Sequence, residues 1–204
     1  EELSYLYTEP EEKTVTVKNL PDGKEYKETY DALILSPGGE PILPGAIEGI
    51  RNDNVFGIRN VVDIAKLDAY IRDHKAEDIA VVGGGFIGCE IAENLVHAGY
   101  KVTLIEAMDQ VMTPFDYDMA QILHKEMLDN GMTLIVKDGV KKIDSNVIEL
   151  SSGRQVKADA VVMAVGIRPE TTLAKNAGLT IGETGGIKVN ANFQTSDPAT
   201  YAVG

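Results

Sequence analysis

Hydrophobic positions along this chain follow two rhythms. Over the first thirty or so residues they alternate with polar ones. Residues 3–7, 14–18 and 25–30 are short stretches rich in Val, Thr and Tyr, and Pro21-Asp22-Gly23 supplies turn chemistry between the second and third. This pattern predicts a three-stranded antiparallel meander. Residues 32–35 (Ala-Leu-Ile-Leu) form a continuous apolar run, predicted as a buried strand. It ends in a Pro/Gly-rich stretch from Ser36 to Gly45, which places a boundary near residue 46. Ile64, Leu67 and Ile71 then recur at helical spacing, predicting a helix over 60–73 with these three on its inner face.

From residue 79 the two rhythms interleave. A buried strand is predicted at 79–82, a glycine-rich turn at 83–88, a helix to about Ala98 stopped by Gly99, and a strand at 102–105. A helix over 116–130 follows, with Met119, Ile122, Leu123 and Met127 inward and Gly131 as its stop, then a strand at 133–136. The next segments, 140–143, 147–150 and 155–157, are short strands separated by Asp144-Ser145-Asn146 and Ser151-Ser152-Gly153. A last buried strand covers 160–165, ending at Gly166, and after Ile181 the pattern is β-like again at 187–190 and 201–204. The order β-α-β-α-β-meander-β implies an α/β fold: a Rossmann-like parallel sheet with one crossover made of antiparallel strands, flanked by β-rich segments. The expected divisions are 1–45, 46–181 and 182–204.

Composition narrows the function classes. With 19 Lys+Arg against 32 Asp+Glu the net charge is −13, which disfavours nucleic acid as a partner. The single cysteine, Cys89, excludes an internal disulfide. There is no run of 18 apolar residues and no basic-then-apolar leader, so the expectation is a cytoplasmic protein without a membrane partner. The chain opens on Glu1 and closes on an apolar segment, and it reads as a piece of something longer.

Candidate chemistry sits at Gly83-Gly84-Gly85-Phe86-Ile87-Gly88, a G-x-G-x-x-G between a predicted strand and a predicted helix. Gly83 permits the tight turn, Gly85 lets a pyrophosphate approach the backbone, and Gly88 lets the helix approach the sheet. The anion would rest on helix N-terminal N–H groups. Glu106 ends the next strand, 23 residues after Gly83 and 18 after Gly88, bracketing the ~20 expected for an acid that accepts the ribose hydroxyls. No Lys or Arg lies between Glu106 and Tyr117, so NAD(H) is favoured over NADP(H). The other reading is a glycine-rich turn serving a different ligand.

The wider sequence resembles a family. Residues 79–90 (IAVVGGGFIGCE) resemble the NAD-binding segment of the flavin-dependent pyridine nucleotide–disulfide oxidoreductases. Residues 30–38 (YDALILSPG) resemble its FAD/NAD junction, 160–169 (AVVMAVGIRP) its later NAD-side strand and glycine turn, and 195–204 (TSDPATYAVG) the approach to its late FAD motif. Residues 109–116 (DQVMTPFD) and 184–187 (TGGI) resemble the single-redox-cysteine branch, which holds coenzyme A-disulfide reductases, NADH oxidases, NADH peroxidases and polysulfide reductases.

The resemblance implies a cofactor-binding set of Gly83, Gly84, Gly85, Phe86, Ile87, Gly88, Glu90, Glu106, Val165 and Gly166. Phe86 would gate the nicotinamide pocket, although core packing is its other reading. Glu90 would contact the carboxamide; it is also read as an acid in the first helical turn, favoured there by the helix dipole. Residues 1–45 and 182–204 would be parts of a FAD domain around an NAD domain at 46–181. The FAD fingerprint, redox cysteine and dimerisation domain would lie outside this sequence, so the chain alone is expected to bind NADH, lack FAD and not turn over, while the whole protein is a homodimer.

Cys89 reads as a small packed side chain, and His74, His97 and His124 as surface or structural residues, with no metal site. Electrons would pass from NADH through FAD to a disulfide, persulfide or polysulfide, peroxide or oxygen. Two other readings stay open: a stand-alone NAD(H)-binding or redox-sensing module, and a small complete NAD dehydrogenase. The second needs an acid/base pair such as Tyr-x-x-x-Lys, which the sequence lacks.

Overall fold

A computed structural model describes residues 3–204, with side chains from residue 8 onward. The chain forms two compact units. One comprises residues up to Glu40 together with Arg168–Gly204, and the other is Pro41–Ile167.

The first unit begins with the expected meander, β1 (Leu3–Glu9), β2 (Thr14–Asn19) and β3 (Glu25–Thr29), paired antiparallel in that order. The central strand β2 buries Thr14, Val15, Thr16 and Val17, whereas β3 is exposed throughout. The next strand, β4 (Leu33–Leu35), is not the buried strand expected from its apolar run: Leu35 is buried but Ile34 is 66% exposed. Leu35 joins Ala174, Leu179 and Ala202 in a small cluster, which Ile34 does not join. A short strand, β5 (Gly39–Pro41), follows.

The second unit opens on β6 (Val55–Gly57), too short to show a pattern, and α1 (Val61–His74). Asn60 starts α1 with a capping box: its side chain accepts from the N–H groups of Val62 and Asp63, and the Asp63 carboxylate accepts from the Asn60 N–H. Leu67 and Ile71 are buried, but Ile64 is exposed, because only the later turns of α1 pack into the core. Then come β7 (Asp78–Val82), α2 (Phe86–His97), β8 (Lys101–Ile105), α3 (Tyr117–Asp129), β9 (Thr133–Ile135), the meander β10 (Val140–Ile143), β11 (Val147–Leu150) and β12 (Gln155–Lys157), and β13 (Ala160–Met163).

Five of these strands form one parallel sheet in the order β6-β13-β7-β8-β9. Both faces are covered, so β7 and β13 read as continuous apolar runs. Ile79 and Val81 point into a core with the helices, whereas Ala80 and Val82 join Ile143, Ile148, Leu150 and Val156 of the meander. The meander thus replaces a crossover helix as the second cover. On α3 the inward face is Ala120, His124 and Met127, with Leu123 partly buried; Met119 and Ile122, expected inward, are exposed. The apolar residues of α3 exceed one stripe, so periodicity places Leu123 and Met127 correctly but not Met119 and Ile122.

The chain returns through β14 (Ile167–Pro169), α4 (Thr172–Asn176) and β15 (Thr200–Ala202), the last parallel to β4. Ala174 and Leu179 pack with Leu35 and Ala202, which draws residues 168–181 into the first unit and puts the second boundary at 167 instead of the expected 181; the first falls at 41 instead of 46. No strand forms at 187–190, where a single bridge joins Ile181 and Ile187. Arg168 donates through Nε and Nη2 to the carboxylate of Glu40, giving both residues a structural role. No helix among the described residues is long and apolar enough to cross a membrane.

Leu104, fully buried in β8, is a direct check on this layering. Leu104→Ala is expected to lower unfolding free energy by about 3 kcal/mol in a urea titration, and a loss under 1 kcal/mol would contradict the packing described.

Candidate functional site: a glycine-lined cavity at the sheet's C-terminal edge

In the parallel sheet β13 and β8 lie on either side of β7. Loops leaving such neighbouring strands in opposite directions open a crevice at their C-terminal ends. A cavity of about 580 Å³ occupies that place, and β7, β8 and β13 each end at its wall.

The glycines around it are not equivalent. Gly83 leaves β7 at φ +107°, where a Cβ would lie 2.4 Å from the Ala164 carbonyl oxygen. A Cβ on Gly88 would lie 1.9 Å from the Gly83 oxygen, so α2 rests directly on the turn beneath it. A Cβ on Gly84 would meet Val111 at 2.8 Å. Gly85 differs: its φ of −80° is open to any residue, and a Cβ there would meet nothing within 4 Å. Neither backbone strain nor packing asks for glycine at 85. Gly85 is also the N-cap of α2 and offers no side-chain cap, so the first-turn N–H groups are left at the cavity, where Gly85, Phe86 and Ile87 form part of the wall.

Opposite this helix start stands Glu106. Its Oε2 accepts from the Gly84 N–H at 2.6 Å and its Oε1 from the Met108 N–H at 2.7 Å. A carboxylate has about four lone-pair positions, so two remain for other donors. Val165 and Gly166 close the cavity from the end of β13, with Gly166 at φ +118°.

Of the residues expected at the site, Gly83, Gly85, Phe86, Ile87, Glu106, Val165 and Gly166 line the cavity; Gly84 and Gly88 are buried behind it. Phe86 is 65% exposed and meets Phe115 edge-on, with ring centroids 6.4 Å apart, so its core-packing reading fails. Glu90 is not in the wall. Since α2 begins at Phe86, Glu90 lies in the second turn rather than the first, exposed, with its carboxylate accepting from the Asn94 side chain. The dipole argument for it therefore weakens as well. Sequence reasoning missed Asp138, which lines the cavity and accepts from the N–H and hydroxyl of Ser152 at 3.1 and 2.5 Å. Its signal was available: like Glu106, it is an acid just beyond a parallel strand.

Cys89 lies half-buried with its thiol directed at the Gly84 carbonyl, 3.4 Å away. Burial first, and the Glu106 charge second, push its pKa up to about 11. His124 is buried and accepts the Val111 N–H through Nε2, while His74 stacks on Tyr70. No cluster of three potential metal ligands occurs among the described residues.

The family described as pyridine nucleotide-disulphide oxidoreductase matches residues 4–204. This chain belongs to that family. It is 38% identical over 190 residues to an NADH oxidase of Methanocaldococcus jannaschii, covering 90% of this chain and 41% of that protein. A coenzyme A disulfide reductase of Staphylococcus haemolyticus is 32% identical over 194 residues, covering 95% and 43%. Among solved structures, reduced Bacillus anthracis CoADR-RHD superposes with a TM-score of 0.93 and 45% identity over 99% of this chain and 37% of that one. The chain thus spans about two fifths of the length of these curated relatives.

In this family member the environment of Cys89 makes a pH prediction. A thiol raised to about 11 is roughly 0.1% thiolate at pH 8. Iodoacetamide labelling at pH 8 is expected to run at least about tenfold slower in the folded chain than in urea, and to accelerate up to pH 11. Equal rates in both states at pH 8 would show that the thiol is not held in this environment.

Proposed function

We propose that the Pro41–Ile167 unit binds NAD(H), and that the chain is the pyridine-nucleotide portion of a flavin-dependent oxidoreductase. The observation that carries this reading is Gly85, a glycine required by nothing inside the protein and placed where a ligand backbone would need room. A pyrophosphate fits there on the amides of Gly85, Phe86 and Ile87. Ribose hydroxyls fit the free lone pairs of Glu106, and the exposed Phe86, Val165 and Gly166 form the wall left for the nicotinamide. Glu106 and Asp138, both in the lining, oppose a 2′-phosphate, which supports NADH over NADPH.

When bound, the nicotinamide supplies hydride and the flavin hands electrons to a small-molecule acceptor: a disulfide, persulfide, peroxide or oxygen. The residues of this chain do the positioning. Cys89, protonated at neutral pH and facing the core, takes no part in electron transfer. In the first unit, a cavity of about 260 Å³ lies where β4 and β15 end, near Gly38 and Gly204. It has room for part of a flavin nucleotide, not for all of one. The family match across both units favours this reading over a stand-alone sensing module.

Calorimetric titration of the chain tests the proposal. NADH is expected to bind with 1:1 stoichiometry and NADPH at least about tenfold more weakly, with no stoichiometric flavin retained. Gly85→Val is expected to leave the melting temperature nearly unchanged yet weaken NADH by at least about tenfold. Gly88→Ala, by contrast, lowers the melting temperature itself. Unchanged NADH affinity in Gly85→Val would overturn the assignment.

A further inference from the structure

The segment 106–116 is held against the glycine loop by buried polar contacts that no ligand role explains. The Met112 N–H donates to the Gly84 carbonyl at 2.7 Å, and the Val111 side chain occupies the space beside Gly84. Met112 takes this position at φ +51°, a left-handed conformation that costs a residue with a Cβ. Buried Gln110 donates through Nε2 to the Phe115 carbonyl at 2.8 Å, fixing the residue whose ring meets Phe86. Between these contacts the Val111 N–H points inward and finds its partner on α3: Nε2 of buried His124, at 3.1 Å.

We propose that His124 is a positioning residue for the dinucleotide: by accepting the Val111 N–H, it holds 106–116 in the register that fixes Gly84, Glu106 and Phe86 around the cavity. This rests on the NAD(H) reading above. His124 does not line the cavity, so its effect passes through Val111. An imidazole that accepts at Nε2 is neutral and carries its proton on Nδ1. Burial lowers the His124 pKa, which keeps that form in place at neutral pH. Without the acceptor, a buried N–H is orphaned next to a strained residue, and the 106–116 segment loses its anchor on α3.

Two variants separate the hydrogen bond from mere volume. His124→Met fills the space without a strong acceptor, whereas His124→Gln can place a carbonyl oxygen near the Nε2 position. His124→Met is expected to weaken NADH about tenfold and to raise amide hydrogen exchange at Met112 by a similar factor. His124→Gln is expected to restore both to within about twofold. Wild-type affinity in His124→Met, or loss of affinity in both variants without rescue by Gln, would overturn the proposal. Should His124→Met fail to fold, the nitrogen shifts of the wild-type imidazole decide the matter: Nδ1–H supports the role and Nε2–H contradicts it. If the wild-type chain itself does not bind NADH, the NAD(H) reading falls. The exchange and nitrogen measurements would still report separately whether His124 anchors the segment.

Discussion

The start of α2 and the end of β7 approach each other more closely than any side chain would allow. The Cα of Gly88 sits over the Gly83 carbonyl, and the Cα of Gly83 sits against the Ala164 carbonyl; a Cβ on either would come within 2.4 Å of a backbone oxygen. This contact sets the angle at which the helix leaves the sheet. It brings unpartnered first-turn amides to the level where three parallel strands end, and the loops after β7, β8 and β13 then converge on one cavity. The meander over the opposite face contributes by burying Ala80, Val82 and Val161, so that the strands feeding those loops are rigid on both sides.

The electrostatics of the cavity follow from the same contact. The chain carries a net charge of −13, and no Lys or Arg is among the described residues lining the cavity. A diphosphate there would be met by backbone N–H groups and a helix dipole rather than by cationic side chains. Such a site discriminates finely, because the surrounding acids tolerate an anion only where the amides point. Glu106 serves two purposes in this scheme. It staples Gly84 to Met108 through two short hydrogen bonds, and it presents its remaining lone pairs to the cavity. Replacing it removes a structural brace together with a recognition group.

Much of this was legible in the sequence because its signals are local. The glycine spacing, the acid after β8 and the apolar runs of β7 and β13 each need only a short window to be read. What escaped depends on tertiary cover. Ile34 and Ile64 are as hydrophobic as their buried neighbours, but neither joins a packed cluster, and both stay exposed. Met119 and Ile122 are exposed on α3 while Ala120 and His124 take the inner face, where His124 accepts the Val111 N–H. Asp138 escaped because its strand, β9, leads into a meander and not into the helix that a dinucleotide fingerprint expects. The short strands β5, β6 and β14, at three residues each, are below the length at which any period can be read.

The central claim is that the helix start built on the Gly83–Gly88 contact is where a dinucleotide rests. Backbone amide chemical-shift mapping of the chain during addition of NADH tests it most directly. The largest changes are expected at Gly85, Phe86 and Ile87, with a second group at Val165 and Gly166. Changes confined to residues away from this cavity, such as Gly38 and Gly204, would contradict it.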